Sequence, residues 1–329
     1  MVQEKEANKI RFYMILTGYK HKLALIIPTR NRAILLTKLL ESLKNQTIPA
    51  DQIIVVDGSD EPIEPNIREF LSSSVTCVRV FPPGLTRQRN AGIQALGADI
   101  TLAGYLDDDM VLEKDAIEAM LHFWESCPDD VGGTSFNITN NPVPRSGLLG
   151  KLFRRAFCLG DGRQGVILRS GICTAVSPVL KDTYTEWLSG GATVWRRHIL
   201  DEFKYDEWFE GGAYVEDVDF SLTVASNYNY RLVVLRDAKA QHYPPPFNPS
   251  KCHTLGRMVT QQRYHFARKH QRFSVGRFYW ATFGVALGLF VSSIPRRSKC
   301  DFLKALGSLM GLFDVMRGNL FQTDSEFRK

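Results

Sequence analysis

The stretch from Leu23 to Pro28 reads Leu-Ala-Leu-Ile-Ile-Pro, a run without a single polar side chain. A strand with one wet face alternates apolar and polar residues, so a run this short and this apolar predicts a strand covered on both faces. The segments that follow narrow the fold further. From Ala33 to Leu43, the residues Leu35, Leu36, Leu39, Leu40 and Leu43 recur at helical spacing. Gln52 to Val56 reads as a second buried strand, and Val75 to Phe81 and Asp99 to Leu106 as two more. A helix from about Thr86 to Leu96 separates the last two, and Ala116 to Trp124 predicts another helix. Alternation of this kind predicts an α/β domain with a mostly parallel sheet flanked by helices. In such sheets ligands bind beyond the carboxyl ends of the strands, so the polar residues just after each strand carry the functional information.

The chain of 329 residues has room for one large α/β domain with an appendage, or for two small domains. Three regions are expected: an N-terminal extension over 1–22, a catalytic domain over 23–248, and a basic, then apolar and amphipathic, helical segment over 249–329. Asn137 to Gly171 is rich in Gly, Pro and Arg and reads as a loop or lid. The extension carries Glu4, Lys5, Glu6 and Lys9 before any apolar run, which is unlike a signal peptide and places the expected catalytic part in the cytosol. The six cysteines are scattered, with no Cys-x-x-Cys, and are expected to be reduced packing residues. No Gly-x-Gly-x-x-Gly follows the first strand and no Walker-type loop occurs, which argues against dinucleotide oxidoreductases and P-loop enzymes. A net charge of +6 fits phosphorylated small molecules, anionic lipid and nucleic acid alike.

The sharpest chemical signal is Asp107-Asp108-Asp109, directly after Tyr105-Leu106. Adjacent carboxylates repel unless a cation or solvent compensates them. At a strand end, two of them can point the same way and grip a hard divalent ion whose shell substrate phosphates complete. A solvated acidic turn capping the next helix is the alternative. A second acidic cluster, Glu216-Asp217-Val218-Asp219, suits either a helix N-terminus or a general base for an attacking hydroxyl. Asp57 can accept hydrogen bonds from a base or ribose, or form an Asx-turn, and Arg87, Arg89 and Asn90 open a helix suited to a diphosphate. Leu188 to Thr193 contains Gly190-Gly191, a turn permitting close backbone approach to a ligand, and His242 precedes three prolines.

In combination and order these residues resemble glycosyltransferase family 2, the inverting enzymes with a GT-A fold. The matching pieces are Ile27-Pro28-Thr29-Arg30-Asn31-Arg32, Val56-Asp57-Gly58-Ser59-Asp60, Arg89-Asn90-Ala91-Gly92, Asp107-Asp108-Asp109, Gly190-Gly191-Ala192 and Glu216-Asp217-x-Asp219-Phe220, over roughly 22–245. The resemblance implies that Thr29, Asn31 and Asp57 hold the nucleoside, that Arg89 lies near the sugar or diphosphate, and that Asp107 and Asp108 contact the nucleotide. It implies Asp109, with His242, as ligands of Mg²⁺ or Mn²⁺. Gly190 and Gly191 would line the floor where donor sugar and acceptor meet. Asp217 would deprotonate the acceptor, supported by Glu216 and Asp219. The implied donor is a nucleoside-diphosphate sugar, UDP or dTDP ahead of GDP, and the acceptor a glycan or lipid-linked hydroxyl in polysaccharide biosynthesis. Gln-x-x-Arg-Trp, the mark of processive synthases, is missing, so addition of one sugar or very few is expected.

Phe278 to Pro295 is uncharged for 18 residues but is flanked by Arg272 and Arg277 before and by Arg296, Arg297 and Lys299 after. Basic clusters on both sides disfavour a single crossing. An interfacial helix followed by the amphipathic Phe302 to Met316 fits better, putting a membrane surface against 278–316 at the cytoplasmic face. A single span and a buried core helix are the alternatives. Two other functions compete: a sugar nucleotidyltransferase, whose Gly-rich loop after the first strand is absent here, and a catalytically degenerate nucleotide-sugar-binding subunit, against which the intact Asp109 and Asp217 speak. A nucleic-acid partner is not expected, because only Arg257 to Arg277 approaches a basic, aromatic face.

Overall fold

The structure is a computed structural model that describes residues 18–142, 147–209, 213–246 and 248–320. Most of the N-terminal extension lies outside these residues. The chain forms two compact units: 1–141 with 177–205 and 220–243, and 142–176 with 206–219 and 244–329.

The first unit opens with β1 (Leu23–Thr29), α1 (Ala33–Lys44), β2 (Gln52–Asp57), β3 (Val75–Arg79), α2 (Leu85–Gln94), β4 (Leu102–Leu106), β5 (Met110–Leu112), α3 (Ala116–Ser126) and β6 (Val131–Ile138). Every residue of β1 is buried, as the apolar run requires. Successive strand side chains point to opposite faces. Leu23, Leu25 and Ile27 join Leu36, Leu39, Leu40 and Leu43 of α1 and Ile117, Met120, Leu121 and Trp124 of α3 in one core. On the other face α2 comes so close that a Cβ on Gly92 would stand 2.3 Å from Ile26 Cγ2. Only glycine permits that approach, and it sets the first strands between helices.

After α4 (Leu148–Ala156), which belongs to the second unit, the first unit resumes with β7 (Thr183–Thr185), β8 (Ala192–Arg196) and α5 (Arg197–Glu202), and ends with β9 (Arg231–His242). The nine-stranded sheet has the order β3-β2-β1-β4-β8-β6-β9-β5, with β7 also on β9. It is parallel among β1 to β4, as expected, but β8 enters antiparallel beside β4 and the remainder is mixed. The reason lies in the connections. From β1 to β4 every crossover carries a helix, α1 before β2, a 3-10 helix (Glu64–Phe70) before β3 and α2 before β4, whereas β8 is reached through a long excursion that need not preserve direction.

The second unit holds α4, the first turn of α6 (Glu216–Tyr228), α7 (Cys252–Lys269), α8 (Val275–Arg296) and α9 (Lys299–Met316). α4 is a departure from the expected irregular loop over Asn137 to Gly171: Leu148, Leu149, Leu152 and Phe153 form an apolar stripe opposite Lys151, Arg154 and Arg155, but none of its residues is buried. Phe157 nevertheless stacks on Trp280 at 4.7 Å, and Trp280 Nε1 donates to the Ala156 carbonyl at 2.8 Å. α7 and α9 lie in backbone contact: a Cβ on Gly307 would fall 2.0 Å from the His253 carbonyl, and one on Gly256 2.2 Å from that of Lys304. Buried Asp314 of α9 is held by Arg257 and by Gln261, whose Nε2 donates at 2.9 Å. Cys252 and Cys300 form a disulfide with Cα atoms 5.4 Å apart, correcting the expectation of six reduced thiols. Spacing in the chain does not reveal which helices meet side by side, and it is their meeting that pairs these two cysteines.

Candidate active site

The carboxyl ends of β2 and β4 supply the first unit's acidic residues, and that of β1 supplies Thr29 and Arg32, which meet Asp108. β4 ends at Leu106, whose register partner is Ala192, so Asp107 faces the turn before β8 and its N–H donates to the Gly191 carbonyl at 3.0 Å. A Cβ on Gly191 would stand 2.0 Å from Asp107 Oδ2, so the glycine is the space in which this carboxylate sits. Gly190 is also buried there. Asp107 is the exposed member of the triplet, with 38% of its side chain accessible, and Arg89 Nη2 lies 3.3 Å from its Oδ1. The Arg89 guanidinium itself is only 1% exposed and rests over the rings of Tyr105 and Tyr205. The structure thus gives Arg89 a place beneath Asp107, rather than an open position facing a diphosphate.

Asp108 points inward. Its Oδ2 accepts from Thr29 Oγ1 at 2.8 Å and its Oδ1 from Arg32 Nη1 at 3.1 Å. Burial raises its pKa to about 6, against the opposing Arg32 charge and the Thr29 hydrogen bond. Arg32 responds in turn: burial disfavours its charge, but the charge and hydrogen bond of Asp108, with Asp109 and Asp107 beyond, hold its pKa above the ordinary value. Arg32 belongs to the first-strand motif but was not singled out as a site residue; a lone arginine in a loop gives no sign of what it will face.

Asp109 is drawn to His242 by the sheet. β5 pairs with β9 in a register that sets Met110 against His242, and the Tyr243 N–H donates to the Asp109 carbonyl at 2.8 Å. His242 Nε2 then lies 3.1 Å from Asp109 Oδ1, and the contact raises the His242 pKa against the effect of burial. That Oδ1 is buried without a well-aligned hydrogen bond. Among the described residues no group of three or more His, Cys, Asp or Glu side chains is arranged to hold a metal ion. The Asp109 carboxylate, with the His242 imidazole beside it, suits a Mg²⁺ or Mn²⁺ ion, since Mg²⁺ is commonly held by one or two carboxylates with phosphate and water filling the other positions.

Asp57 is fully buried, and its carboxylate accepts from the N–H groups of Ser59 at 2.8 Å and Ile63 at 3.0 Å. It therefore forms the Asx-turn that was the alternative to direct base contact, and shapes the loop after β2. Asn31, at a φ of 55°, clamps that loop: its Nδ2 donates to Asp60 Oδ2 at 2.7 Å and its own N–H to Ser59 Oγ at 2.8 Å.

Glu216, Asp217 and Asp219 lie in the second unit, in the first turn of α6, where carboxylates meet the positive end of the helix. Glu216 and Asp219 are buried, and Asp217 alone of the three is partly exposed. Asp219 is held by Lys269 and His270, two residues the sequence reading passed over.

Residues 24–167 match the sequence model of glycosyl transferase family 2. The O-antigen chain rhamnosyltransferase RfbN of Salmonella typhimurium is 33% identical over 107 residues, which span 31% of this chain and 33% of that protein. The match thus covers about a third of that relative's length. Among solved structures, the mannosyltransferase PcManGT from Pyrobaculum calidifontis, in complex with GDP-Man and Mn²⁺, aligns over 95% of this chain and 97% of its own, with a TM-score of 0.55 and 14% identity. At that identity the likeness is one of fold.

Proposed function

From the match of residues 24–167 to the glycosyl transferase family 2 model, we propose that this chain is an inverting, non-processive glycosyltransferase that moves a sugar from a nucleoside-diphosphate sugar to a glycan or lipid-linked hydroxyl. The observation that carries the reading is the acidic strand end: Asp109 beside His242 at 3.1 Å, with Asp107 exposed above Arg89. A bound divalent ion would neutralise the charge that grows on the nucleoside-diphosphate leaving group. Asp109 and His242 would hold it. Asp107, braced by Arg89 and seated over Gly191, orients the nucleotide, while Thr29 and Arg32 fix Asp108 and with it the backbone of the triplet. Asp57 and Asn31 shape the loop expected to receive the nucleoside. Asp217 is assigned as the base that takes the acceptor's proton, because it is the carboxylate of its turn with access to solvent. Attack by the deprotonated hydroxyl from the side opposite the diphosphate breaks the sugar–phosphate bond and inverts the anomeric centre.

The rhamnosyltransferase relative favours a glycan acceptor, and UDP and dTDP remain the leading donor bases, with GDP third. The reading includes attachment to a membrane through residues 278–316 at the cytoplasmic face. Support comes from two outward apolar stripes in the second unit: Phe283, Phe290, Val291 and Ile294 on α8, and Phe302, Leu306, Met310 and Phe313 on α9. Exposed apolar faces of this extent, with Arg296, Arg297 and Lys299 between them, suit an anionic lipid interface.

A calorimetric panel of UDP, dTDP, GDP and ADP, each with and without Mn²⁺, tests the site. Metal-dependent binding of one diphosphate, lost in Asp109→Ala, is expected. Equal affinity with and without metal in both proteins would remove Asp109 as a ligand.

A further inference from the structure

The acidic turn at the start of α6 is bracketed from both sides by α7. On its upstream side the Tyr214 N–H donates to Gln262 Oε1 at 2.7 Å, and Arg263 Nη2 donates to the Tyr214 hydroxyl at 3.0 Å. On its downstream side Asp219, 3% exposed, receives Lys269 Nζ on Oδ2 at 2.8 Å and His270 Nε2 on Oδ1 at 2.7 Å. Lys269 is itself shared with Asp206, 2.8 Å from the same Nζ. Burial disfavours the Lys269 charge, yet its hydrogen bonds to Asp206 and Asp219 keep its pKa above the ordinary value, so the ammonium persists at neutral pH.

Between the two brackets lies a conformation that local preference would not choose. Val215 has a φ of 65°, a left-handed setting unfavourable for a β-branched residue and kept only where the surroundings over-determine it. Its carbonyl accepts the Asp219 N–H at 2.9 Å, closing the first turn of the helix. The side chain that anchors Asp219 thus also fixes the backbone that carries Asp217.

We infer that Lys269 and His270 are positioning residues that act through Asp219 to hold Asp217 at the angle its role as base requires. The inference rests on the assignment of Asp217 made above and adds residues from a helix outside the family match. Neither residue is placed in contact with a reacting atom. Two groups grip one buried carboxylate, so removing either leaves the other and lets the protein fold while the turn gains freedom.

The test uses the full chain, with Lys269→Met, His270→Gln and the conservative Lys269→Arg beside Asp217→Asn. Hydrogen–deuterium exchange is followed in residues 213–220, and donor hydrolysis, with water as acceptor, is measured on whichever of UDP-glucose, dTDP-rhamnose and GDP-mannose is turned over with Mn²⁺. Faster exchange confined to that segment in Lys269→Met and His270→Gln is expected, with kcat lowered about 10- to 100-fold at unchanged donor KM, the scale of a 1 Å misplacement. Lys269→Arg should recover most of the rate. If Asp217→Asn is inactive while the two variants keep native exchange and native kcat, the positioning role is overturned and the base stands. If Asp217→Asn hydrolyses donor normally, the base assignment falls, and the positioning role with it.

Discussion

Gly191 shows how much of the site depends on a missing methyl group. A side chain there would meet Asp107 Oδ2 at 2.0 Å, and Asp107 could escape only by leaving Arg89, whose guanidinium would then be buried without that carboxylate. Displacing a binding group by about 1 Å can cost on the order of 100-fold. Gly191→Ala is therefore expected to weaken nucleotide binding by roughly 10- to 100-fold in the calorimetric panel; native affinity would mean that Asp107 does not touch the nucleotide. His265 carries a different residue-scale expectation. It stacks on Trp208 at 3.7 Å, and burial lowers its pKa from 6.5 despite the nearby Asp206. In the window just below pH 6.5 the unfolded chain therefore binds a proton that the folded chain does not, and stability rises with pH across that window. Above it this contribution is complete. Urea midpoints between pH 5 and 7.5 should show that slope, flattened in His265→Gln; an equal slope in the variant would assign it elsewhere.

The helices of the second unit set a test at the next scale. The Cys252–Cys300 disulfide closes a loop of 48 residues between α7 and α9. Confining the unfolded chain over that length is worth about 4 kcal/mol in the chain-entropy account. Dithiothreitol is expected to lower the unfolding midpoint of the native protein and to leave that of Cys252→Ala unchanged. Identical midpoints with and without reductant in the native protein would show that the cross-link contributes nothing. The same pair of helices shows where elements were readable and where they were not. β1, α1, β2 and α3 announced themselves because each buries a face whose period appears in the chain. α4 was missed although Leu148, Leu149, Leu152 and Phe153 form a stripe, because a single short stripe among Gly, Pro and Arg does not outweigh a loop-like composition, and β8 was not read as a strand because its antiparallel place beside β4 is settled by a partner far along the chain.

For the molecule as a whole, the membrane proposal is the most exposed to test. Deleting 278–329 is a poor experiment, because α9 supplies the second cysteine, the buried Asp314 and the glycines against which α7 packs. Ile294→Glu with Met310→Glu alters only outward side chains, 67% and 45% exposed. Flotation with vesicles of phosphatidylethanolamine and phosphatidylglycerol is expected for the native chain and should be lost in the double variant, with thermal stability changed little. Unaltered flotation would put the attachment elsewhere. The sequence by itself determined the α/β class, the strand ends at which chemistry collects, and the acidic identities of Asp107 to Asp109 and Glu216 to Asp219, because buried strands and adjacent carboxylates are patterns local to the chain. Only the tertiary structure decided which of those acids face solvent and which are internal. Asp108 is consumed by Thr29 and Arg32, Asp57 by its own loop, and Asp219 by Lys269 and His270. Such partners are brought in by strand register and helix packing across tens of residues, and neither leaves a signature in local spacing.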